Sequence, residues 1–180
     1  HIRYLEAMAK IGDAERLFSG LKVINPILIE DAVKNAMPRQ SNVYFSSSDG
    51  NFQHRYEADA NFDKLRTGEV EVKGGWRLYS SGPGIYLNQL ICNFLGINTL
   101  QNELYIDPVL PKSLSGLNFI FQLNNYNLDI TYEITSGRLE YVIVNGQKIN
   151  RNTALLKYRP SGVLIPTAYL QEHNKIFVKM

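Results

Sequence analysis

One cysteine in 180 residues excludes an intrachain disulfide, so this fold is held without a covalent staple. Long apolar runs are also missing. No stretch approaches the roughly 18 residues needed to cross a bilayer, and the opening HIRYLEAMAK has neither the apolar core nor the cleavage site of a secretory leader. A membrane is therefore not an expected partner, and a cytoplasmic location is the default. Charge of one sign is lacking too: 19 Lys and Arg face 17 Asp and Glu, net +2, interspersed rather than gathered into the basic stripe that nucleic-acid binding uses. Only three histidines occur, His1, His54 and His173, and none has a second ligand at metal spacing on a shared helix face, so no metal is expected. His173, in QEHNK, reads as a solvated turn residue. The chain has neither the GxSxG of a nucleophile elbow nor the GxxxxGK of a nucleotide P-loop.

What is present is ordinary globular composition, 44% hydrophobic and 20% charged, enough to exclude a disordered tail. The two halves differ in period. From Ile2 to Phe18 apolar residues recur at helical spacing, with Gly12-Asp13 as the break of a helical hairpin. Asn25-Pro26 ends it, and Ile29 to Met37 gives another brief helical pattern before Pro38. Arg39 to Asn61 is a long polar and aromatic segment of little periodicity, which reads as a functional loop. Ile85 to Phe94 reads as a helix carrying Cys92 as a small buried hydrophobe. Beyond Gly96 the period changes to two, in short Ile-, Val-, Tyr- and Phe-rich runs: Leu104 to Val109, Leu117 to Leu123, Leu128 to Ile134, Leu139 to Val144, Ala154 to Tyr158 and Ile176 to Val178. Asn145-Gly146 predicts a type I′ hairpin turn, and Asn124-Asn125 and Ser136-Gly137 mark further turns. The fold class is α plus β in separate halves, the second a β-sandwich. A helical segment this small must pack on the β unit or on something outside the chain.

Gly74 to Tyr86, GGWRLYSSGPGIY, sets serines and glycines directly ahead of the Ile85 helix. Unpaired N–H groups and the positive end of the helix dipole make such a start a ready anion site. The plainer reading is a tight turn with Ser81 as N-cap and Pro83 in the first turn. His54 to Asp63, HRYEADANFD, places Glu57, Asp59 and Asp63 beside Arg55, and paired carboxylates are what glycoside chemistry needs. The plainer reading there is an exposed, salt-bridged helix. Tyr44, Phe45, Phe52, Tyr56, Trp76, Tyr79 and Tyr86 crowd the same region, as rings do in sugar sites, although core packing explains each ring taken singly.

The succession EAMAKIGDAE, INP at Ile24 to Pro26, RQSNVYFSSSD, HRYEADA, GGWRLYSSGPGIYLNQL, LGI at Leu95 to Ile97 and IDPVLP at Ile106 to Pro111 resembles the C-terminal part of the family 94 glycoside phosphorylases. That family includes cellobiose and chitobiose phosphorylases, and related modules close the cyclic β-1,2-glucan synthases. YSSGPGIY is similar to the branch acting on 1,2-β-oligoglucans more than to the cellobiose branch. The resemblance implies that residues 1–97 are the terminal helices and loops of an (α/α)6 catalytic barrel and 98–180 a C-terminal jelly-roll-like β-sandwich domain. It implies inverting phosphorolysis of a β-glucan oligosaccharide, with inorganic phosphate as co-substrate and no other cofactor, giving α-glucose 1-phosphate. The general-acid aspartate and a phosphate-binding arginine of the family lie upstream, so no catalytic residue is expected in this chain. The expected partners are the sugar, phosphate, the remainder of the barrel and, since the family often dimerises, a second copy.

By the same resemblance, a Thr-Gly pair that holds phosphate in the cellobiose branch falls on Ser80-Ser81 or on Ser81-Gly82. A phosphate-binding histidine has His1 as its nearest match, at a shorter spacing from Glu6-Ala7 than that branch shows. HRTE is matched by His54, Arg55 and Glu57 with Tyr56 in place of Thr, and a glutamine near the donor sugar falls on Asn61 or Asp63. The implied phosphate ligands are thus Ser80, Ser81, Gly82 and His1. The sugar-facing set is Arg39, Gln40, Arg55, Glu57, Asn61, Asp63 and Trp76. The competing expectation, from a different class, is a non-catalytic carbohydrate-binding or scaffolding β module.

Overall fold

The computed structural model describes residues 1–25, 28, 36–38, 49–74, 84–151, 158–159 and 162–180. Helix α1 spans Ile2–Ile11 and buries Leu5 and Ala9, one turn apart. It stops where the sequence predicts. Gly12, at φ 78, donates its N–H to Ala9 O at 3.1 Å while Asp13 N reaches Met8 O at 2.9 Å, a Schellman ending that needs the left-handed conformation glycine adopts freely. Asp13 then opens helix α2, Ala14–Val23, its carboxylate accepting from Arg16 N at 3.0 Å.

The chain divides into two compact units. One contains His1 and Ser19–Leu87, with a small sheet in the order β1 (Ala36–Pro38), β3 (Val72–Gly74), β2 (Asp49–Gly50), and the short helices α3 (Arg55–Asn61) and α4 (Lys64–Thr67). In this unit the buried Tyr86 hydroxyl donates to Leu21 O at 3.3 Å, and burial raises its phenol pKa.

The other unit joins Ile2–Phe18 to Asn88–Met180. Helix α5 (Ile85–Asn88) continues as a π-helical stretch, Gln89–Phe94, whose Gln89 side chain is buried. Gln89 accepts from Asn93 Nδ2 at 2.6 Å and donates to Glu6 at 3.5 Å, and Phe94 stacks on Phe18 with ring centroids 5.5 Å apart. Two sheets follow. The first is antiparallel, in the order β10 (Val163–Ile165), β5 (Glu103–Ile106), β4 (Ile97–Leu100). The second runs β6 (Asn118–Leu123), β7 (Tyr126–Glu133), β11 (His173–Lys179), β8 (Tyr141–Val144), β9 (Gln147–Asn150), with β7 and β11 parallel and the other neighbours antiparallel.

Strand alternation decides which face is covered. Leu128, Ile130 and Tyr132 of β7 lie beside Asn174, Ile176 and Val178 of β11, and Ile176 and Val178 in turn pair with Val144 and Val142 of β8; all are buried. Helices followed by a sheet-rich unit of two sheets is the order that the change of period predicts. The Asn145-Gly146 hairpin has both residues at positive φ, as a type I′ turn requires.

Several expectations change. Ala36–Pro38, which covers the end of the helix expected over Ile29 to Met37 and the proline expected to stop it, is a strand paired in parallel with Val72–Gly74; residues 29–35 lie outside those described. Arg55–Asn61, placed at the end of a long functional loop, is helical. His173 begins a strand instead of sitting in a turn, because Asn127 of β7 pairs with it in register and lies 3.3 Å from its Nδ1; it remains exposed. Cys92 is half-buried instead of fully buried. Strands β4 and β10 were not among the expected strands, and β4 and β5 are joined through Gln101 and Asn102, both at positive φ. The expected strand at Ala154 to Tyr158 falls mostly outside the described residues.

One cluster fixes the route of the chain within the second unit. Arg159 donates from both terminal nitrogens to Asp107, at 2.7 and 2.8 Å, and its Nε bonds Ala9 O at 3.1 Å. Three glycines allow these parts to meet. A Cβ on Gly96 would lie 2.2 Å from the carbonyl carbon of Asp107, one on Gly162 2.0 Å from Ile106 O, and one on Gly12 2.9 Å from Arg159 Cδ. Asp107 N bonds Gly96 O at 2.8 Å and Val109 N bonds Phe94 O at 3.0 Å. Tyr132 donates its hydroxyl to Leu95 O at 2.9 Å, and burial pushes its phenol far above the usual tyrosine range.

Gly96→Ala therefore faces a backbone collision as well as a left-handed φ of 72, whereas Gly137, also at φ 72, has nothing within 4 Å of an added Cβ. Urea unfolding is expected to show a loss of about 3 kcal/mol or more for Gly96→Ala and about 1 kcal/mol for Gly137→Ala. Equal losses would contradict the close approach.

Candidate functional site

Of the residues singled out, Arg39, Gln40, Trp76, Ser80, Ser81 and Gly82 lie outside those described. His1 stands exposed before α1. The remaining four, Arg55, Glu57, Asn61 and Asp63, fall on or just after α3, and the helix explains much of their geometry. His54 has extended backbone, φ −157 and ψ 168, and its ring nitrogen accepts from Glu57 N at 3.2 Å. Glu57 Oε2 reaches back to Gln53 N at 2.7 Å. Together they satisfy two backbone donors at the helix start, a histidine version of the capping box. Asn61 Nδ2 donates to Glu57 O at 3.1 Å.

The outer side of this turn is open. The Tyr56 ring is 71% exposed, with the Arg55 guanidinium 5.2 Å from its centroid and the His54 ring edge-on at 6.2 Å. An exposed ring backed by a cation and flanked by a carboxylate can pack on the C–H face of a sugar while neighbouring groups bond its hydroxyls. Asp63, at the start of α4, makes no capping bond with its side chain and is exposed. The structure therefore brings His54, Arg55, Tyr56 and Glu57 onto one helical turn, with Asn61 one turn on. The Glu57 carboxylate and the Asn61 amide already serve the helix.

Nucleophilic chemistry at Cys92 is disfavoured, because burial raises its thiol pKa and it receives only a weak contact from Asn88, at 3.4 Å. Among the described residues no group of three His, Cys, Asp or Glu side chains could hold a metal ion, and no helix is long and apolar enough to cross a membrane. Sequence reasoning missed the pairing of Asp107 with Arg159. Asp107 sits inside the IDPVLP motif, but its partner is 52 residues away. The capping role of His54 and Glu57 was visible in principle in the H-x-x-E spacing, which mimics the S/T-x-x-E signature.

Helices leading into a two-sheet β unit, with an open polar and aromatic helical turn, form the class of structure in which comparison with known proteins can be weighed. No family model matches the chain. The chain is related to a 1,2-beta-oligoglucan phosphorylase of Listeria innocua serovar 6a, with 49% identity over 166 residues. The match covers 92% of this chain and 15% of that protein, so the chain spans about 15% of the relative's length. The relationship agrees with the family resemblance that the motifs carry, and identifies the chain as related to part of a phosphorylase.

Because Glu57 is a capping group, Glu57→Ala is expected to destabilise α3 by about 1 kcal/mol, with Glu57→Gln retaining most of the bond. Amide exchange at Gln53 and Glu57 reads this directly. Unchanged protection in Glu57→Ala would show that the side chain does not serve the helix.

Proposed function

We propose that the chain is the C-terminal portion of an inverting glycoside phosphorylase of family 94 that cleaves β-glucan oligosaccharides, 1,2-linked, with inorganic phosphate to release α-glucose 1-phosphate. The observation that carries the proposal is the 49% identity across 92% of the chain, joined to the order of motifs from EAMAKIGDAE to IDPVLP. On this reading residues 1–97 are the C-terminal segment of an (α/α)6 barrel, and residues 98–180 form a C-terminal jelly-roll-like β domain. Ser80, Ser81 and Gly82, with His1, grip the phosphate. Arg39, Gln40, Arg55, Asn61, Asp63 and Trp76 face sugar, and Glu57 does so only through the oxygen not engaged with Gln53.

The division of labour follows from the chemistry. Phosphate replaces the water of an inverting glycosidase and is already a nucleophile, so the reaction needs an acid for the leaving oxygen but no base. Fixed donors must hold its charge, which suits hydroxyls and backbone N–H groups ahead of a helix. The acid belongs to the part of the barrel upstream of this chain, so the isolated chain binds at most half a substrate and does not turn over. The protein works in the cytoplasm without a further cofactor, as a homodimer.

The test is phosphorolysis of sophoro-oligosaccharides by the longer protein carrying this chain. A Ser80→Ala, Ser81→Ala variant is expected to raise KM for phosphate at least about 10-fold, in line with loss of charge-assisted bonds. Unchanged phosphate affinity would sink the site assignment. Glucan binding by the isolated chain at millimolar or better without phosphate, with no phosphorolysis by the longer protein, would favour a carbohydrate-binding module instead.

A further inference from the structure

A cavity-lining cluster lies entirely within the unit formed by Ile2–Phe18 and Asn88–Met180. The cavity measures about 500 Å³ and is bordered by the start of α2, the Pro108–Lys112 segment, the turn after β7 and the Tyr158-Arg159 pair. Four cations line it, Lys112, Arg138, Arg151 and Arg159, against one carboxylate, Glu15. Arg159 is neutralised by Asp107. Among the described residues the other three head groups form no ion pair. With Glu15 counted and Arg159 paired to Asp107, the lining carries a net charge of +2, as much as the whole chain, so this is a local concentration of positive potential in a protein otherwise evenly mixed.

Like charges around one space repel, and an anion placed among them relieves that repulsion while gaining charge-assisted bonds. The rest of the lining adds to this. Leu110 and Leu139, both buried, supply apolar wall, and the Tyr158 ring, 66% exposed, offers a face for C–H groups. Glu15 accepts hydrogen bonds, which disfavours a bare anion and suits a ligand carrying hydroxyls as well. The volume falls within the range of small-molecule sites, about 300–1,000 Å³.

We propose that this cavity is an accessory site for a phosphorylated sugar of mono- to disaccharide size. Lys112, Arg138 and Arg151 take the phosphate, and Tyr158 and Glu15 take the sugar. None of the cavity's lining residues belongs to the set proposed for phosphorolysis, and the inference does not depend on the function proposed for Ser80 and Ser81.

Calorimetry on the 180-residue chain with glucose 1-phosphate at low ionic strength tests the proposal. Saturable binding is expected, weakened by added salt, at least 10-fold weaker in an Arg138→Ala, Arg151→Ala variant and weakened in Lys112→Gln. All three positions are exposed, so circular dichroism and Tm are expected to stay unchanged. The Ser80→Ala, Ser81→Ala variant is expected to bind as the parent chain does, and glucose not at all. Absence of binding, binding indifferent to the arginine variant, or equal affinity for inorganic phosphate alone would overturn the proposal. Loss of binding in the serine variant alone would overturn it too, while leaving the phosphate role proposed for Ser80 and Ser81 intact. An acidic peptide that binds where glucose 1-phosphate does not would mark the cavity as a protein-docking groove and likewise contradict it.

Discussion

The unit that joins the first helical arm to the β-sheets depends on the pairing of Arg159 with Asp107. Side-chain exposures of 16% and 9% place both groups where an unmatched charge is costly, and removing one partner of such a pair destabilises by roughly 3–5 kcal/mol. The fork geometry explains why arginine occupies the position. Two parallel bonds fix Asp107, and the remaining Nε closes on Ala9 O near the end of α1, a threefold engagement that a lysine cannot reproduce. Glycine at 12, 96 and 162 is the steric condition for it, since each gives up a side chain where backbone or guanidinium must pass.

That cluster also gives physical meaning to two of the motifs that carry the resemblance. LGI and the Phe94 that precedes it are held to IDPVLP by bonds from Asp107 N to Gly96 O and from Val109 N to Phe94 O. The Tyr132 hydroxyl adds a third anchor at Leu95 O. The segment leaving the π-helical turn is thereby tied to strand β7 and to the start of the loop after β5. A motif that serves only recognition of a sugar would not need this. Gly96, Asp107 and Val109 do structural work here, holding the end of the π-helical stretch Gln89–Phe94.

How much of this was legible in the sequence depended on the range of the interaction responsible. The Gly12-Asp13 break, the Asn145-Gly146 hairpin and the alternation of β7, β8 and β11 are set by neighbours a few residues apart, and all could be read. The Ala36–Pro38 strand could not, because it exists by pairing with Val72–Gly74, and pairing overrides a weak local helical pattern. Gln101-Asn102 lacks the glycine that marks most two-residue turns, so β4 was invisible. Arg159 gave no sign of its partner for the same reason of distance. Of the candidate site, the helix bearing Arg55, Glu57 and Asn61 was anticipated as the plainer alternative to a sugar-facing loop. Its capping bonds show that the two readings compete for the same Glu57 carboxylate and Asn61 amide.

The functional account rests on relatedness to one part of a phosphorylase and on a chemistry that leaves a stereochemical mark. Direct attack by phosphate from the face opposite the leaving oxygen inverts a β-linkage. The most direct measurement is proton NMR of the first product formed from a 1,2-linked β-glucan and inorganic phosphate by the longer protein that carries this chain. The account predicts α-glucose 1-phosphate, its anomeric proton coupled to phosphorus. Appearance of the β-anomer, or of free glucose with phosphate unconsumed, would contradict it.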